Sequence, residues 1–322
     1  MNDVIPIVLS CNDSYLKYAA VTIQSILENC SQKYKYIFYI LANERKLSQQ
    51  AKEKFLKTST IRDVFFSIKI IDINDDVLPK LHVIAQITKE AYFRLLISDI
   101  LEDNKIIYLD CDIIVKYDIS KLFEIDIGDN YIAAVRDMFG FDFKKYVETL
   151  DLVPENYFNS GVLVINNKLW KKFDVGNKCI EMLAKNPKIK FMDQDALNII
   201  CKDKVYYLNR RWNFFWYYSI EIVKQKGILN HEVQSIYNEL SNNFYIIHYT
   251  SAYKPWKKRY FKYADLWWMY AKLTIAHKQL FWESELISRY FLRRLIGSNN
   301  ITISGERYKI LYLFFLQILI KK

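Results

Sequence analysis

Short apolar segments alternate with longer segments of helical periodicity along the first third of the chain. Continuous apolar runs are typical of strands in a parallel sheet that is covered on both faces, whereas apolar residues spaced three and four apart are typical of helices. The pattern predicts strands at residues 4–9, 36–41, 65–71 and 105–109, and helices at 15–29, 47–58 and 88–101. Because strand and helix alternate with short connections, we expect an α/β fold with a Rossmann-like, mostly parallel sheet flanked by helices.

The pattern is less regular after residue 112 and changes again near the C-terminus. Strands are predicted at residues 132–135, 162–166, 205–208 and 245–248, and a helix at 193–201. The tail predicts three helices, at residues 264–277, 283–296 and 307–320. We therefore expect a main domain, residues 1–256, followed by a helical C-terminal region, residues 257–322.

The charge distribution supports the same division. The chain carries 46 Lys and Arg against 36 Asp and Glu, a formal charge of +10. Residues 1–252 contain 32 residues of each sign, whereas residues 253–322 contain 14 basic, 4 acidic and 16 aromatic residues. Anionic lipid attracts each nearby Lys or Arg by about 1 kcal/mol, and Trp and Tyr favour the membrane interface. Residues 310–320 (ILYLFFLQILI) are too short an apolar run to span a bilayer but can lie in its interface.

The tail therefore predicts binding to an anionic membrane surface. The alternative is that its helices pack on the main domain or on a second subunit.

Five cysteines, without a C-x-x-C pair, indicate a reducing compartment, and the N-terminus lacks the basic region of a signal peptide. We expect a cytoplasmic protein attached peripherally to the inner face of the plasma membrane.

Glycine is scarce, and its scarcity excludes two common kinds of nucleotide site. Neither G-x-G-x-x-G nor G-x-x-x-x-G-K-[ST] can be built from the seven glycines. A glycine-rich dinucleotide site and a P-loop are therefore not expected. Any bound phosphate must be neutralised by other means.

Two carboxylates, Asp110 and Asp112, follow directly after the strand predicted at 105–109. Ligands bind at this edge of open α/β sheets. Two residues apart in an extended chain, the carboxylates point the same way and can share a hard divalent cation. The spacing alone is weak support, because about one such pair is expected by chance, and Asp193-x-Asp195 is another. A solvated turn is the alternative.

Other polar residues lie next to apolar segments, and each has a structural alternative. His248 ends an apolar run and is interpreted either as a metal ligand or as a core histidine. Lys254 is either a phosphate contact or an ordinary surface lysine. Arg94 lies in an apolar helix, so it must be ion-paired or face a cleft. Asp193 opens a predicted helix as a functional carboxylate or an N-cap. The segment 159–161 (NSG) precedes a predicted strand, and it either contacts a ligand or forms a plain turn.

The order of these residues, together with their neighbours, resembles that of the family 8 retaining glycosyltransferases. The similarity is greatest to bacterial galactosyl- and glucosyltransferases that build lipopolysaccharide or capsule sugars. The matching segments are 7–15 (IVLSCNDSY), 92–97 (YFRLLI), 107–112 (IYLDCD), 157–163 (YFNSGVL), 193–198 (DQDALN), 211–214 (RWNF) and 248–256 (HYTSAYKPW). The resemblance implies the glycosyltransferase-A fold, a UDP-sugar donor bound by residues 1–256, and Mn²⁺ or Mg²⁺ as cofactor.

The resemblance also implies roles for individual residues. The implied metal ligands are Asp110, Asp112 and His248. The implied nucleotide contacts are Ser10, Asn12, Ser14, Tyr15, Ser251 and Lys254, with Lys254 on the diphosphate. The implied donor-sugar contacts are Arg94, Asp110, Asn159, Asp193 and Gln194, of which Asp193 and Gln194 are the catalytic residues.

Two positions depart from the family. Asn12 stands where the family often has Asp, so a hydrogen bond to the uracil N–H would lack charge assistance. Ser251 stands where glycine is usual, which changes the backbone contact to phosphate expected there.

The implied reaction moves a hexose, glucose or galactose, from a UDP-sugar to a saccharide or lipid-linked acceptor. A divalent cation and Lys254 would neutralise the charge that grows on UDP as it leaves. In the retaining family the acceptor attacks on the face of the leaving diphosphate, whose oxygen acts as the base. Gln194 is too weak a nucleophile for a covalent intermediate, and we expect it to stabilise the oxocarbenium-like centre.

Three other interpretations of the same residues stay open at this point. A metal-dependent phosphatase or nuclease would use Asp110, Asp112 and Asp193 with an attacking water and usually two metals. A nucleic-acid-binding protein would explain the basic, aromatic tail, although the glycosyltransferase interpretation expects no nucleic acid. A sugar-binding relative would keep the site without catalysing transfer.

Overall fold

The structure is a computed structural model. It describes residues 3–57, 64–74, 78, 81, 89–137, 144–186, 189–215, 231–250, 254–257, 263–283, 297–303, 306–313 and 316–321.

A twisted sheet at the centre of the main domain has the strand order β3-β2-β1-β4-β7-β6-β8. The strands of the main domain are β1 Val4–Ser10, β2 Lys35–Ala42, β3 Phe65–Asp72, β4 Lys105–Leu109, β5 Ile113–Val115, β6 Ile132–Arg136, β7 Phe158–Asn166, β8 Val205–Tyr207, β9 Phe214–Phe215 and β10 Ile246–His248. All neighbours in the central sheet are parallel except β7, which is antiparallel to both β4 and β6. The predicted α/β fold with a mostly parallel sheet is confirmed.

Helices cover both faces of the sheet. The α-helices are α1 Leu16–Asn29, α2 Gln49–Leu56, α3 Ile97–Ile100, α4 Ser120–Phe123, α5 Lys144–Glu148, α6 Asn167–Lys172, α7 Val175–Lys185, α8 Met192–Cys201, α9 His231–Leu240, α10 Ala264–Ala271 and α11 His277–Glu283. Alternate residues of β1 point to opposite faces: Ile5, Ile7 and Leu9 pack in one core, and Val8 packs in the other. Burial on both faces explains why the strand reads as a continuous apolar run.

A small second sheet, of order β5-β10-β9, lies beside the carboxyl end of β4. β5 is antiparallel to β10, with Ile113 opposite His248, and β10 is parallel to β9, with His248 opposite Phe215. The turn between β4 and β5 joins the two sheets. This turn contains Asp110 and Asp112.

The first part of the C-terminal region packs on the main domain. Trp256, Trp267 and Trp268 are buried, and α10 shares a core with Val21 of α1 and Ile114 of β5. The sequence-based expectation that Trp residues of the tail favour a membrane interface is wrong for these three, because packing leaves at most 5% of each exposed. The alternative, that this part of the tail packs on the main domain, is confirmed for residues 263–283.

The end of the chain differs from the helix predicted at 307–320. The strands β11 Gly297–Ile303, β12 Glu306–Leu313 and β13 Leu316–Lys321 form an antiparallel sheet of order β11-β12-β13. Unbroken apolar runs do not distinguish a buried helix from a strand by periodicity, and the Ile, Tyr and Phe of this stretch favour strands. The helix predicted at 283–296 lies, beyond Glu283, outside the described residues. In the part of the chain that the structure describes, no helix combines the length and apolarity needed to cross a membrane.

The helix predicted at 88–101 is a 3₁₀ helix, Lys89–Leu96, followed by α3. It is held in place by close packing against the first turn of α7. A Cβ atom added to Gly176 would lie 2.0 Å from the carbonyl oxygen of Leu95 and 3.2 Å from the Trp170 indole nitrogen. Only glycine allows this approach, and it fixes the segment that contains Arg94.

We expect Gly176→Ala to destabilise the protein by about 1–3 kcal/mol, because the added methyl group must displace backbone. Alanine is the better helix former, so an effect of helix propensity alone would have the opposite sign. Urea unfolding measures the difference. Lys178→Ala, an exposed change on the same helix, is the control and should stay within about 0.5 kcal/mol of wild type. Equal or greater stability of Gly176→Ala would contradict the packing.

Candidate functional site

Polar side chains converge where three strands of the central sheet meet. β1 ends at Ser10, β4 ends at Leu109, and β7, running the other way, begins at Phe158. The Asp110 backbone N–H donates to the Gly161 carbonyl oxygen at 2.9 Å, which holds the turn after β4 against β7. The strand order reverses between β1 and β4, and ligands bind at such a point in open α/β sheets.

Asp110, Asp112 and His248 form a candidate metal centre. One carboxylate oxygen from each Asp and one ring nitrogen of His248 lie within 4.8 Å of one another. The two Asp residues lie on a turn, not in the extended segment that we expected, and their carboxylates still converge. Pairing of β5 with β10 brings His248 to them, and the Tyr249 N–H donates to the Asp112 carbonyl oxygen at 2.9 Å.

The two oxygens of Asp110 have different surroundings. Oδ1 accepts hydrogen bonds from Arg94 Nη2 at 2.9 Å and from the Tyr108 hydroxyl at 3.0 Å. Oδ2 lies 3.6 Å from His248 Nε2, which is 3.1 Å from Asp112 Oδ1. Arg94 and Tyr108 therefore hold one oxygen of Asp110 and turn the other toward Asp112 and His248.

Asp112 is buried and ion-paired with Lys254, which also donates to the Tyr249 carbonyl oxygen at 2.7 Å. Burial alone would raise the pKa of Asp112, but its contacts with the charged Lys254 and with His248 outweigh it and hold that pKa well below its usual range. Asp112 is therefore ionised at neutral pH. Trp256 stacks on Tyr18 at 3.9 Å between ring centroids, and this stack anchors the segment that contains Lys254.

Arg94 is both ion-paired and at the cleft. Its side chain is 4% exposed and pairs with Asp110 and with Asp193, the latter at 3.1 Å from Nε. It also donates to the carbonyl oxygens of Ala91 and Ser160. Burial would lower the pKa of Arg94, but the charges of Asp110 and Asp193 raise it above its ordinary value, so the guanidinium stays charged.

Asp193 is not an N-cap, because Phe191 occupies that position before α8. Its buried carboxylate accepts from the Ser160 hydroxyl at 3.2 Å and pairs with Arg94. Burial raises the pKa of Asp193 to about 6, against the opposing charge of Arg94. The segment 159–161 lies inside β7 and does not form a separate turn, so Ser160 and Asn159 face α8 from a rigid strand.

Gln194 is held through both ends of its side-chain amide. Its Oε1 accepts from Asn159 Nδ2 at 2.9 Å and from the Ser160 backbone N–H at 3.1 Å. Its Nε2 donates to Asp137 Oδ2 at 3.1 Å and to the Tyr157 hydroxyl at 3.3 Å. Two donors on the amide oxygen reduce its basicity, which makes Gln194 an even weaker nucleophile than its chemical type suggests.

Asp195, the partner of Asp193 in the second D-x-D pair, is fully buried and points away from the candidate metal centre. It accepts from the Tyr157 hydroxyl at 2.6 Å, the Tyr146 hydroxyl at 2.5 Å and the Phe191 backbone N–H at 2.8 Å. These bonds attach α8 to α5 and to the start of β7. Asp195 therefore has a structural part in holding Asp193 and Gln194 in place.

The residues predicted to contact the nucleotide follow β1. Asn12 caps the 3₁₀ helix Asp13–Tyr15, and its Oδ1 accepts from the Tyr15 N–H at 3.2 Å and from the exposed Ser14 hydroxyl at 2.8 Å. Burial, with a contribution from the charge of Asp112, raises the pKa of Tyr15 above its ordinary value. Ser10 donates to the Glu90 carbonyl oxygen. Ser251 lies outside the described residues.

Sequence reasoning did not assign Tyr108, Asp137 or Asn213, although all three support the site. Tyr108 binds Asp110, Asp137 binds Gln194, and Asn213 Oδ1 lies 3.1 Å from His248 Nδ1. Asn213 belongs to the segment RWNF that carried part of the family resemblance, and this was its available signal. Tyr108 lies one residue before the end of the predicted strand 105–109, and Asp137 follows the predicted strand 132–135 by two residues.

Comparison with known proteins defines the class. The pattern described as "Glycosyl transferase family 8" matches residues 6–259, and the chain belongs to that family. General stress protein A of Bacillus subtilis is 31% identical over 263 residues, which cover 79% of this chain and 88% of that protein. Lipopolysaccharide 1,2-glucosyltransferase of Escherichia coli is 29% identical over 257 residues, 76% of this chain and 70% of that protein.

The fold is also that of solved glycosyltransferases. The galactosyltransferase LgtC, solved in complex with donor and acceptor sugar analogs, superimposes with a TM-score of 0.67 at 23% identity. The match covers 84% of this chain and 96% of LgtC. The expected glycosyltransferase-A fold is confirmed, and the protein is a glycosyltransferase.

Gly161 leaves the space that His248 and Asp110 need in order to meet. A Cβ atom there would lie 2.2 Å from His248 Cε1 and 2.8 Å from Asp110 Oδ2. We expect Gly161→Ala to push the ring and the carboxylate apart and to lower glycosyl transfer about 10²-fold, as misplacement by about 1 Å does. Mn²⁺ titration should show weakened binding while the circular dichroism spectrum stays that of wild type. Wild-type Mn²⁺ affinity in this variant would contradict the placement of His248 against β7.

Proposed function

We propose that the protein is a retaining hexosyltransferase that moves glucose or galactose from a UDP-sugar to a saccharide or lipid-linked acceptor. The proposed pathway is lipopolysaccharide or another cell-surface glycan, as the name of the Escherichia coli relative suggests. The observation that carries the proposal is the convergence of Asp110, Asp112 and His248 beside the Arg94–Asp193 ion pair. A cation-binding group and a polar sugar pocket then share one sheet edge.

The donor set fits a hard divalent cation of the Mn²⁺ or Mg²⁺ class. Two carboxylates and one imidazole suit such ions, and Asp110 Oδ2 is turned toward His248 because Arg94 and Tyr108 hold the other oxygen. When bound, the cation would supply positive charge at the diphosphate of the leaving UDP. Asp110, Asp112 and His248 would hold it.

Lys254 supplies a second positive charge at the same place. Its ammonium group pairs with Asp112, and the Trp256–Tyr18 stack fixes the chain two residues further on. We propose that it contacts the donor diphosphate and stabilises the charge that develops on it as the glycosidic bond breaks. Asn12, Ser14 and Tyr15, with Ser10 and Ser251, are the proposed contacts of the uridine.

The donor sugar is proposed to lie against Arg94, Asp110, Asn159, Asp193 and Gln194. Asp193, ionised above pH about 6, accepts hydrogen bonds from sugar hydroxyls. Gln194 is positioned by Asn159 and Asp137 and stabilises the positive charge at the anomeric carbon without bonding to it. The base for the acceptor hydroxyl is the leaving phosphate oxygen, which lies on the same face as the incoming acceptor in a retaining transfer.

The competing interpretations find less support. A two-metal phosphatase needs ligands for a second metal ion. Within the described ranges, the one candidate metal cluster is Asp110, Asp112 and His248. Asp193 is instead bound by Arg94 and Ser160. Nucleic-acid binding was favoured by a basic, aromatic tail, and three of its tryptophans, Trp256, Trp267 and Trp268, are packed in a core.

The tail is proposed to hold the enzyme at an anionic membrane on the cytoplasmic side, where a lipid-linked acceptor would lie. On the described part of the tail, the apolar side chains of Met269, Leu273 and Ile275 are exposed next to the exposed Lys272. Residues 284–322 add seven basic and two acidic residues. Apolar side chains beside basic ones are the chemistry of an interfacial surface.

We expect UDP release from UDP-glucose or UDP-galactose to require Mn²⁺ or Mg²⁺ and to stop in chelator. Asp112→Asn should lower turnover about 10²- to 10³-fold, because it removes a ligand charge while keeping the side-chain size. Glu102→Gln, an exposed change away from the site, is the matched control. Full activity in chelator, near-normal turnover of Asp112→Asn, or release of inorganic phosphate without UDP would contradict the proposal.

Deletion of residues 284–322 tests the membrane proposal while leaving α10 and α11 in their core. We expect the full chain, but not the deletion variant, to co-sediment with vesicles of phosphatidylcholine and phosphatidylglycerol, and high salt to release it. The double variant Lys171→Ala/Lys172→Ala, which removes two exposed lysines elsewhere, should bind like wild type. Equal sedimentation of the full and shortened chains, or binding that salt does not weaken, would contradict the proposal.

A further inference from the structure

A row of buried hydrogen bonds connects the backbone of β7 to the imidazole of His248. The Gly161 N–H donates to Asn159 Oδ1 at 3.0 Å. The same oxygen accepts from Asn213 Nδ2 at 2.9 Å, and Asn213 Oδ1 lies 3.1 Å from His248 Nδ1. Asn213 is 1% exposed and precedes β9, whose pairing with β10 brings it beside His248.

The direction of every bond in this row is set by a group that cannot reverse. A backbone N–H only donates, so the atom of Asn159 that faces Gly161 must be the oxygen. The atom of Asn213 that faces this oxygen must then be the amide nitrogen. That orientation leaves the Asn213 oxygen opposite His248 Nδ1, so Nδ1 must bear the hydrogen.

The other end of Asn159 agrees with this direction. Its Nδ2 donates to Asp137 Oδ2 at 3.2 Å and to Gln194 Oε1 at 2.9 Å. The Asp137 carboxylate only accepts when ionised, so it too requires the amide nitrogen of Asn159 on its side. Two independent fixed groups, one backbone N–H and one carboxylate, therefore give the same orientation for Asn159.

We propose that Asn213 is a positioning residue that holds His248 with its hydrogen on Nδ1 and its Nε2 directed to Asp110 and Asp112. The inference rests on the metal centre of the proposed function, because Nε2 is the atom that would bind the cation. Metal-binding histidines usually donate their other ring N–H to an oxygen of this kind, which fixes both ring orientation and tautomer. Asn213 also connects His248 to Asn159, which holds Gln194, so the metal centre and the sugar pocket share one row of bonds.

The test measures Mn²⁺ binding directly, by electron paramagnetic resonance of the free ion, and does not depend on activity. We expect Asn213→Leu, which has a similar size and no polar atom, to bind Mn²⁺ about 10- to 100-fold more weakly than wild type. Asn167→Leu is the matched control: Asn167 is equally buried but bonds to the backbone of residues 101 and 103, far from the site. It should bind Mn²⁺ as wild type does.

Asn213→Asp separates the two connections of the residue. Aspartate keeps an acceptor for His248 Nδ1–H but cannot donate to Asn159. We expect its Mn²⁺ affinity to stay within about threefold of wild type, because a carboxylate also accepts the ring N–H of a metal-binding histidine. We expect kcat to fall, because the lost bond to Asn159 loosens the hold of Asn159 on Gln194. Nitrogen-15 spectra of the four histidines in the Mg²⁺ complex should show His248 protonated at Nδ1 in wild type and in Asn213→Asp.

Each outcome of these measurements supports or overturns the proposal. Unchanged Mn²⁺ affinity in Asn213→Leu, or an equal loss in Asn167→Leu, would overturn it. If Asn213→Leu does not fold, a parallel loss of Mn²⁺ affinity in Asn213→Asp, or a His248 ring protonated at Nε2 in the wild-type complex, overturns it instead. Absence of divalent-cation binding in wild type would show that the proposed metal centre itself is wrong, which is a different result.

Discussion

The buried guanidinium of Arg94 is the interaction on which the rest of the site depends. The carboxylates of Asp110, partly buried after β4, and of Asp193, buried on α8, lie at the same sheet edge, and they would repel each other without a cation between them. Arg94 also donates to the carbonyl oxygens of Ala91 and Ser160 and lies 4.3 Å over the Tyr108 ring. One side chain thus connects the 3₁₀ helix, β4, β7 and α8, and it fixes the positions of the carboxylates proposed to bind the metal and the sugar.

The second constraint on the site is close packing against the backbone at two glycines. Because two such positions are enough to build the site, the chain needs few glycines. Gly161 admits the His248 ring, and Gly176 admits the Leu95 carbonyl group next to Arg94. Neither forms a phosphate loop. If the proposed function holds, the diphosphate is left to side chains, since a cation held by Asp110, Asp112 and His248, together with Lys254, would supply the positive charge that a glycine-rich loop provides elsewhere through its backbone N–H groups. Gly161 and Gly176 instead leave space for the groups that pack against them.

Most of the central sheet and the Asp pair of the site could be predicted from the sequence, because both have local signals. The predicted strand at 105–109 agrees with β4, and the Asp pair follows it at the sheet edge. Asp137 carried no such signal, because its partners Asn159 and Gln194 lie far away in the chain, and the contact of Asn213 with His248 exists only after β9 has paired with β10. Two tail residues differ from expectation for a related reason: Trp is typical of a membrane interface, and only the tertiary contacts with α1 show that Trp267 and Trp268 are core.

If the proposed function holds, the formal charges of the site favour joint binding of the cation and the donor. Three carboxylates, Asp110, Asp112 and Asp193, face two cations, Arg94 and Lys254, which leaves one negative charge in excess. A diphosphate that approached this site alone would meet net repulsion in a place of low dielectric constant, where such terms are large. A divalent cation held by Asp110, Asp112 and His248 would supply two positive charges, reverse the sign of the excess and favour the diphosphate at the same place. The ammonium group of Lys254, now paired with Asp112, would then be available to the phosphate.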